Sequence, residues 1–268
     1  MSHWNMPPGV STNDIPGNEP DEARSVVLFS GGLDSTTLLY RELSRGSSVT
    51  ALSFDYGQRH RKELAVAAQI VAALQDNGAP LEYHVIKLTA DGLALGSVLA
   101  GSALTDSAVD VPEGHYADDS MKATVVPNRN AIMLSLAYGV AVAQGALWVM
   151  AAMHAGDHVI YPDCRPEFVA ALDTALELGN RWSAEDITPM LQAPFVHMTK
   201  GQIALTAYDL KVPIEATWSC YKGGQVHCGR CGTCVERREA IEEARHLLAI
   251  VPPDPTQYED RDYYKNLV

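Results

Sequence analysis

Phe29-Ser30-Gly31-Gly32-Leu33-Asp34-Ser35-Thr36-Thr37 is the stretch that decides the fold. It follows the apolar run Ser25-Val26-Val27-Leu28 and continues into Leu38-Leu39-Tyr40-Arg41-Glu42-Leu43. That order predicts a short buried strand, a tight glycine turn and a helix beginning near Leu33. Two glycines let the backbone turn sharply and present consecutive N–H groups, and Ser30, Ser35 and Thr36 add hydroxyls. The helix aims the positive end of its dipole at the same point. Together these features predict a nest for a phosphate chain. For Gly-Gly alone, a plain strand-to-helix turn would be the simpler reading. The loop is neither Gly-x-x-x-x-Gly-Lys-Ser/Thr nor the Gly-x-Gly-x-x-Gly dinucleotide turn.

Outward from this loop the chain alternates strand and helix. Val49 to Phe54 reads as a second buried strand, ending at Asp55-Tyr56-Gly57-Gln58-Arg59-His60, and a helix is expected from Arg61 to Leu74. Ligands of open parallel sheets bind beyond the carboxyl ends of strands, so Asp55, Arg59 and His60 fall where a nucleotide would lie. Arg59 and His60 could meet a phosphate or carboxylate; the alternative is a surface cation pair at the sheet edge. Glu82 to Leu88 reads as a third strand. From Thr89 to Lys122 periodicity fails, and Asp106, Asp110, Glu113, Asp118 and Asp119 make the later part acidic. Such long irregular segments serve as mobile lids or partner contacts, and the sequence leaves both open.

Thr124-Val125-Val126-Pro127-Asn128-Arg129-Asn130 precedes a helical run, with Asn130 expected as its cap and Arg129 placed to grip an anion. A surface Arg near a helix start is the plain alternative. Leu147 to Met153 reads as a fourth buried strand. Beyond it lies the polar segment His154 to Phe168, which holds Tyr161, Asp163, Cys164 and Arg165. His154 and His158 read as hydrogen-bonded loop histidines, and Cys164 as a small pocket or core residue. Helices are expected from Pro166 to Leu178 and from Thr199, as cap, to Leu210.

Four of the five cysteines form the second signal: Cys220, Cys228, Cys231 and Cys234. Overlapping Cys-x-x-Cys turns with Gly229 and Gly232 between the sulfurs suit one tetrahedral ion. Four thiolates leave no open position, which favours structural zinc over a catalytic ion. An iron–sulfur cluster or a free redox dithiol remain the rivals. A helix from Val235 to Ala249 is expected to pack this knot.

The chain has 268 residues, 47% hydrophobic and 20% charged, with a formal charge of −13. This suits one α/β domain with a small appendage, and argues against a large nucleic-acid footprint. No apolar run is long enough to span a bilayer, and Met1 to Glu22 lacks the layout of a signal peptide. Bunched cysteines fit metal binding in a reducing cytoplasm.

The Ser-Gly-Gly-x-Asp-Ser core resembles the pyrophosphate loop of the ATP pyrophosphatases. Further blocks narrow the likeness: Phe54-Asp-Tyr-Gly-Gln-Arg-His, Val126-Pro-x-Arg-Asn, Tyr161-Pro-Asp-Cys-Arg-Pro-Glu-Phe, and Trp218-Ser-Cys-Tyr with its three later Cys. In that order, from about Val26 to Ala249, they resemble the QueC family, whose members are 7-cyano-7-deazaguanine (preQ0) synthases of queuosine biosynthesis. The resemblance implies a doubly wound, mostly parallel α/β sheet of the adenine nucleotide alpha hydrolase (PP-loop) type with a small C-terminal zinc-binding subdomain. The expected organisation is a flexible lead at 1–24, an ATP-binding domain at 25–215 with the acidic insert at 89–123, the four-cysteine zinc subdomain at 216–250 and a tail at 251–268.

The resemblance also implies a C–N ligase, using ATP with Mg2+, ammonia and 7-carboxy-7-deazaguanine, in a cytoplasmic homodimer. Phe29 to Leu39 would hold ATP, with Ser30, Gly31, Gly32, Ser35 and Thr36 on phosphates and Asp34 helping to hold magnesium. Ser30, Asp34, Ser35 and Arg129 would carry catalysis. Arg129, Asn130, Tyr161, Asp163 and Arg165 would bind substrate, Asp163 at the guanine-like edge and Arg165 or Arg129 at its carboxylate. Two departures stand out: Asn128 replaces the usual Gly, and His154 to Ile160 differs from the usual segment. They admit a second reading, a related ligase joining such a carboxylate to another amine.

Overall fold

Val26 and Val27 are neighbours, and both are completely buried. A strand alternates its side chains between faces, so burial of both means layers cover the sheet on either side. The computed structural model, which describes residues 24–90, 93–94, 101–183 and 185–267, shows those layers. The expected N-terminal lead lies outside the described residues, apart from Arg24, which opens β1.

The elements run β1 (Arg24–Leu28), α1 (Leu33–Ser44), β2 (Ser48–Asp55), α2 (Lys62–Asp76), β3 (Leu81–Lys87), a small hairpin β4 (Thr89–Ala90) and β5 (Leu93–Ala94), α3 (Arg129–Gln144), β6 (Trp148–Met150), α4 (Pro166–Asn180), β7 (Met190–Gln192), α5 (Lys200–Asp209) and α6 (Gly232–Leu247). The main sheet has the order β3-β2-β1-β6-β7, with every pairing parallel. Val27 joins Leu38 and Leu39 of α1, Ile70 and Val71 of α2, and Ile203 of α5. Val26 joins Leu134, Ala137 and Tyr138 of α3 and Val169 of α4 on the other face. The chain winds one way from β1 through β2 to β3, and the other way through β6 to β7. The crevice between β1 and β6 is therefore the topological switch point, where such sheets place ligands.

Three local expectations need correction. The helix after Pro127 starts at Arg129, and Asn128 is its cap residue in the left-handed conformation at φ 58°. Asn130 lies inside the first turn, and its Nδ2 points to Cys164 Sγ at 3.3 Å instead of capping. The fourth strand is shorter than the apolar run, because β6 pairs with β7 only from Trp148 to Met150. Ala151 to His154 then leave the sheet to wall a cavity. Helix α6 begins at Gly232, earlier than expected, because Cys231 caps it and Cys234 lies within its first turn. Strand β7 was not anticipated.

Residues 101–124 pack against the cysteine cluster: Ala103 and Val111 share its core with Trp218 and Tyr258. Glu113 pairs with Lys222 at 2.6 Å and with Arg230 at 2.9 Å. The C-terminal tail lies over the same cluster, with Arg238 3.8 Å above the Tyr258 ring. No helix among the described residues is long and apolar enough to cross a membrane.

Candidate active site and cysteine cluster

A cavity of about 280 Å³ opens at the β1/β6 crevice. Its floor is the glycine loop. Gly31 has φ +76°, and a Cβ there would stand 2.9 Å from the backbone nitrogen of Ala67. Only glycine fits both the left-handed turn and the close approach of α2. Ser30 Oγ lies 3.1 Å from Ser35 Oγ and accepts from the Gly32 N–H at 3.3 Å. No side chain caps α1, so its first-turn N–H groups stay free for an anion. Phe29, Ser30, Gly32, Leu33, Asp34 and Ser35 line the cavity. Gly31 and Thr36 are buried behind the loop, Thr37 donates to the Leu33 carbonyl at 2.7 Å, and Leu38 and Leu39 belong to the core.

Beside the loop stands a cluster of charges. Lys200 Nζ, from the first turn of α5, lies 3.1 Å from Asp34 Oδ2 and 2.6 Å from Glu236 Oε2 of α6. His154 accepts the Gly156 N–H at Nδ1, which leaves Nε2–H facing Asp157 at 3.5 Å, Glu236 at 3.7 Å and Asp34 at 4.0 Å. Burial opposes the charge of Lys200, yet Asp34, Glu236 and Asp157 outweigh it and hold the ammonium well above its usual range. Burial pushes Glu236 up, against the opposing pull of Lys200 and His154. Asp34 Oδ1 is buried with no partner. Three carboxylates against one fixed cation, with one oxygen unpaired, fit a site for a divalent cation.

The opposite end is aromatic and arginine-bearing. Arg129 Nη1 reaches the Tyr56 hydroxyl at 3.5 Å, and its guanidinium lies 5.9 Å from the Tyr161 ring centre. Burial pushes the Tyr56 phenol up to about 12, against the pull of Arg129. Tyr116 and Tyr221 are likewise raised by burial. Burial first, and Arg129 second, hold His60 down at about 3, so its ring is neutral. Burial raises Glu63 to about 7, with Gln58 and Arg129 opposing. His60, Glu63, Arg129, Asn130, Tyr161 and Cys164 all line this end.

Beyond the phosphate loop and α1, four residues expected at the site stand outside the cavity lining. Asp55 pairs with Arg61 at 2.5 Å. Arg59 donates to the carbonyls of Val109 and Ala103, tying the insert to the sheet end. Asp163 accepts the Asn130 N–H at 3.4 Å, and Arg165 Nε donates to the His158 carbonyl at 3.0 Å. In their place the fold brings Lys200, Asp157, His154 and Glu63 to the lining, with Glu236 behind Lys200. Lys200 follows the recognisable cap Thr199, but nothing in its sequence neighbourhood points to Asp34, which is distant in the chain.

Cys220, Cys228, Cys231 and Cys234 converge with their sulfurs within 4.8 Å of one another, all buried. Backbone N–H groups of Cys228, Arg230 and Cys231 point at sulfur from 3.3–3.4 Å. Buried sulfurs ringed by amide donors suit thiolates, and four of them can hold a metal ion. His227 stands apart from the sulfurs, accepting the Ser219 N–H at Nε2.

Residues 24–245 match the sequence profile of the family described as queuosine biosynthesis protein QueC. A 7-cyano-7-deazaguanine synthase of Rhizobium leguminosarum bv. trifolii is 49% identical over 245 residues, covering 91% of this chain and 96% of that one. The protein of the same description from Paracoccus denitrificans is 49% identical over 245 residues, with 91% and 97% covered. Among solved structures, a 4-thiouridine synthetase–RNA complex with bound ATP matches 72% of this chain and 42% of its own at 18% identity. Its TM-score of 0.46 is too loose to bear on function.

Proposed function

The chain belongs to the QueC family of queuosine biosynthesis proteins, and on that premise we propose that it converts 7-carboxy-7-deazaguanine and ammonia to 7-cyano-7-deazaguanine at the expense of ATP. It is a ligase forming C–N bonds. One observation carries the assignment to this cavity: a phosphate nest and an arginine-bearing aromatic recess open into the same space at the β1/β6 crevice. The first can hold a triphosphate and the second a flat, carboxylated heterocycle.

A carboxylate is a poor acyl donor, because its leaving group would be oxide. Attack by the carboxylate oxygen on the α-phosphate forms an acyl adenylate and releases pyrophosphate. Ser30, Ser35 and the open N–H groups at the start of α1 would receive the departing pyrophosphate, and Lys200 can turn from Asp34 to share its charge. Arg129 would hold the substrate carboxylate in line, with the ring against Tyr161. Ammonia then displaces AMP to give the amide; a second ATP adenylates the amide oxygen with release of pyrophosphate, and departure of that oxygen as AMP with loss of the nitrogen's protons gives the nitrile. Asp34, with Asp157 or Glu236, would hold Mg2+, which when bound neutralises phosphate charge. The four cysteines would hold Zn2+ as a structural ion.

The five free thiols are in keeping with a reducing cytoplasm. The charge of −13 favours small-molecule substrates over nucleic acid. A homodimer is proposed from the family resemblance, and exposed Trp182 and Ile187 supply apolar surface for one. The domain bounds at 25–215 and 216–250 suit the fold, although Trp218 and Ser219 also wall the cavity. The function is tested by mass spectrometry of products from metal-loaded protein with ATP, Mg2+, ammonium and 7-carboxy-7-deazaguanine. Nitrile with AMP is expected; AMP with any other acyl product would replace the acceptor, and no ATP turnover at all would remove the reading.

A further inference from the structure

With Asp163 outside the cavity, the donor edge of the heterocycle has no acceptor yet assigned. We propose that Glu63, through its two carboxylate oxygens, recognises the ring N–H and 2-amino group of the base. This rests on the functional reading above and makes Glu63 the residue that selects the base.

Glu63 lines the aromatic end of the cavity, with its side chain 14% exposed. Its Oε1 accepts from Gln58 Nε2 at 2.9 Å, and Oε2 lies 3.4 Å from His60 Nε2. Gln58 is itself held in one orientation, accepting the Tyr56 N–H at 3.0 Å and donating to the Phe54 carbonyl at 2.9 Å. The amide nitrogen must therefore face Glu63, so the carboxylate is steered and not free to rotate.

Each carboxylate oxygen accepts more than one hydrogen bond, so Glu63 keeps capacity after Gln58 is counted. The carboxylate thus offers acceptors only. A guanine-type edge offers a ring N–H and an NH2, all donors, and complements it. The adenine edge carries one amino donor beside a ring acceptor, and would face lone pair to lone pair. The arrangement selects the acyl substrate against the nucleotide that shares the cavity. The groups facing Glu63 are Gln58, His60, Arg129, Tyr56 and Tyr83. Burial keeps the free carboxyl half-protonated near neutrality, and donors from the base would restore its charge.

The test is isothermal titration calorimetry of the metal-loaded full chain at pH 8. Ligands are 7-carboxy-7-deazaguanine, its analogue lacking the 2-amino group, and ATP, each against wild type and Glu63→Gln. Wild type is expected to bind the amino base about tenfold or more tightly than the analogue. In Glu63→Gln that gap should close, while the Kd for ATP stays within about twofold. Equal affinity of wild type for the two bases, no binding of either, or a variant that loses ATP instead of the base would each overturn the inference. Discrimination by wild type without nitrile formation would remove the proposed reaction and leave Glu63 as a base-recognising residue.

Discussion

Trp218 donates its backbone N–H to the carbonyl oxygen of Gly31 across 2.9 Å. Its indole N–H bonds the Cys220 carbonyl at 2.9 Å, and Lys62 lies 4.1 Å over its ring. One residue thereby joins the phosphate loop, the start of α2 and the cysteine cluster. Arg237, fully buried, holds the same segment by donating to the Ile214 carbonyl, Thr217 and Ser219.

Metal removal should therefore reach the nucleotide. Chelation, or Cys231→Ser, is expected to cost several kcal/mol of stability and to weaken ATP at least about tenfold. Thermal melting and nucleotide titration on the same sample check this. A melt that falls while ATP affinity holds would show the cluster to be a separate support.

At the loop, Asp34→Asn and Lys200→Ala are each expected to lower turnover by about a hundredfold to a thousandfold, with Ser30→Ala close behind. Because Asp34 and Lys200 touch at 3.1 Å, the double variant should lose far less than the product of the two. ATP–pyrophosphate exchange measures all of these. Strict additivity would mean that the two groups act apart.

Glu63 carries a stability signature in the free protein. Burial raises its folded-state value to about 7, above the ordinary carboxyl value of 4.5. The folded state then holds a proton that the unfolded chain releases, so this contribution is present below pH 4.5 and is lost as pH rises through 7. Glu63→Gln should raise the free energy of unfolding at pH 8, by up to about 3 kcal/mol, and leave it little changed at pH 4.5. Urea titrations at the two values decide it; equal gains at both would point to packing instead of charge.

The resemblance leads one to expect glycine where Asn128 stands, and its φ of 58° is the conformation that glycine and asparagine tolerate best. Asn128→Gly should change stability by no more than about 0.5 kcal/mol and leave kinetics alone. Asn128→Val should cost about 1–2 kcal/mol. If the glycine variant altered the KM of the base, the position would belong to recognition.

Local rules served well where a signal is complete in a few residues. The Ser30–Ser35 loop and the Thr199 cap each describe one turn of chain, the four cysteines fall within a short stretch, and each forms the local structure expected of it. Strand β7 failed that standard because it has three residues and buries only Leu191. The family resemblance assigns Asp163 and Arg165 to the substrate, yet the segment curls so that both side chains bond nearby backbone. Lys200 and His154 meet Asp34, and Glu236 meets Lys200, only through the packing of α5, α6 and the segment after β6 beside the loop, a relation no local pattern contains. Glu63 was readable only as the first turn of an expected helix; its meaning comes from Gln58 and His60 turning back upon it.

The contact between Gly31 and Ala67 has a thermodynamic reach beyond shape. Pressed against α2, the phosphate loop gives up its conformational freedom when the chain folds, long before any nucleotide arrives. The ordering cost that a slack loop would charge against each binding event is settled once, in the folding equilibrium. A nucleotide entering this crevice meets donors already at rest, and its affinity reflects the strength of the contacts with little deduction for arranging them.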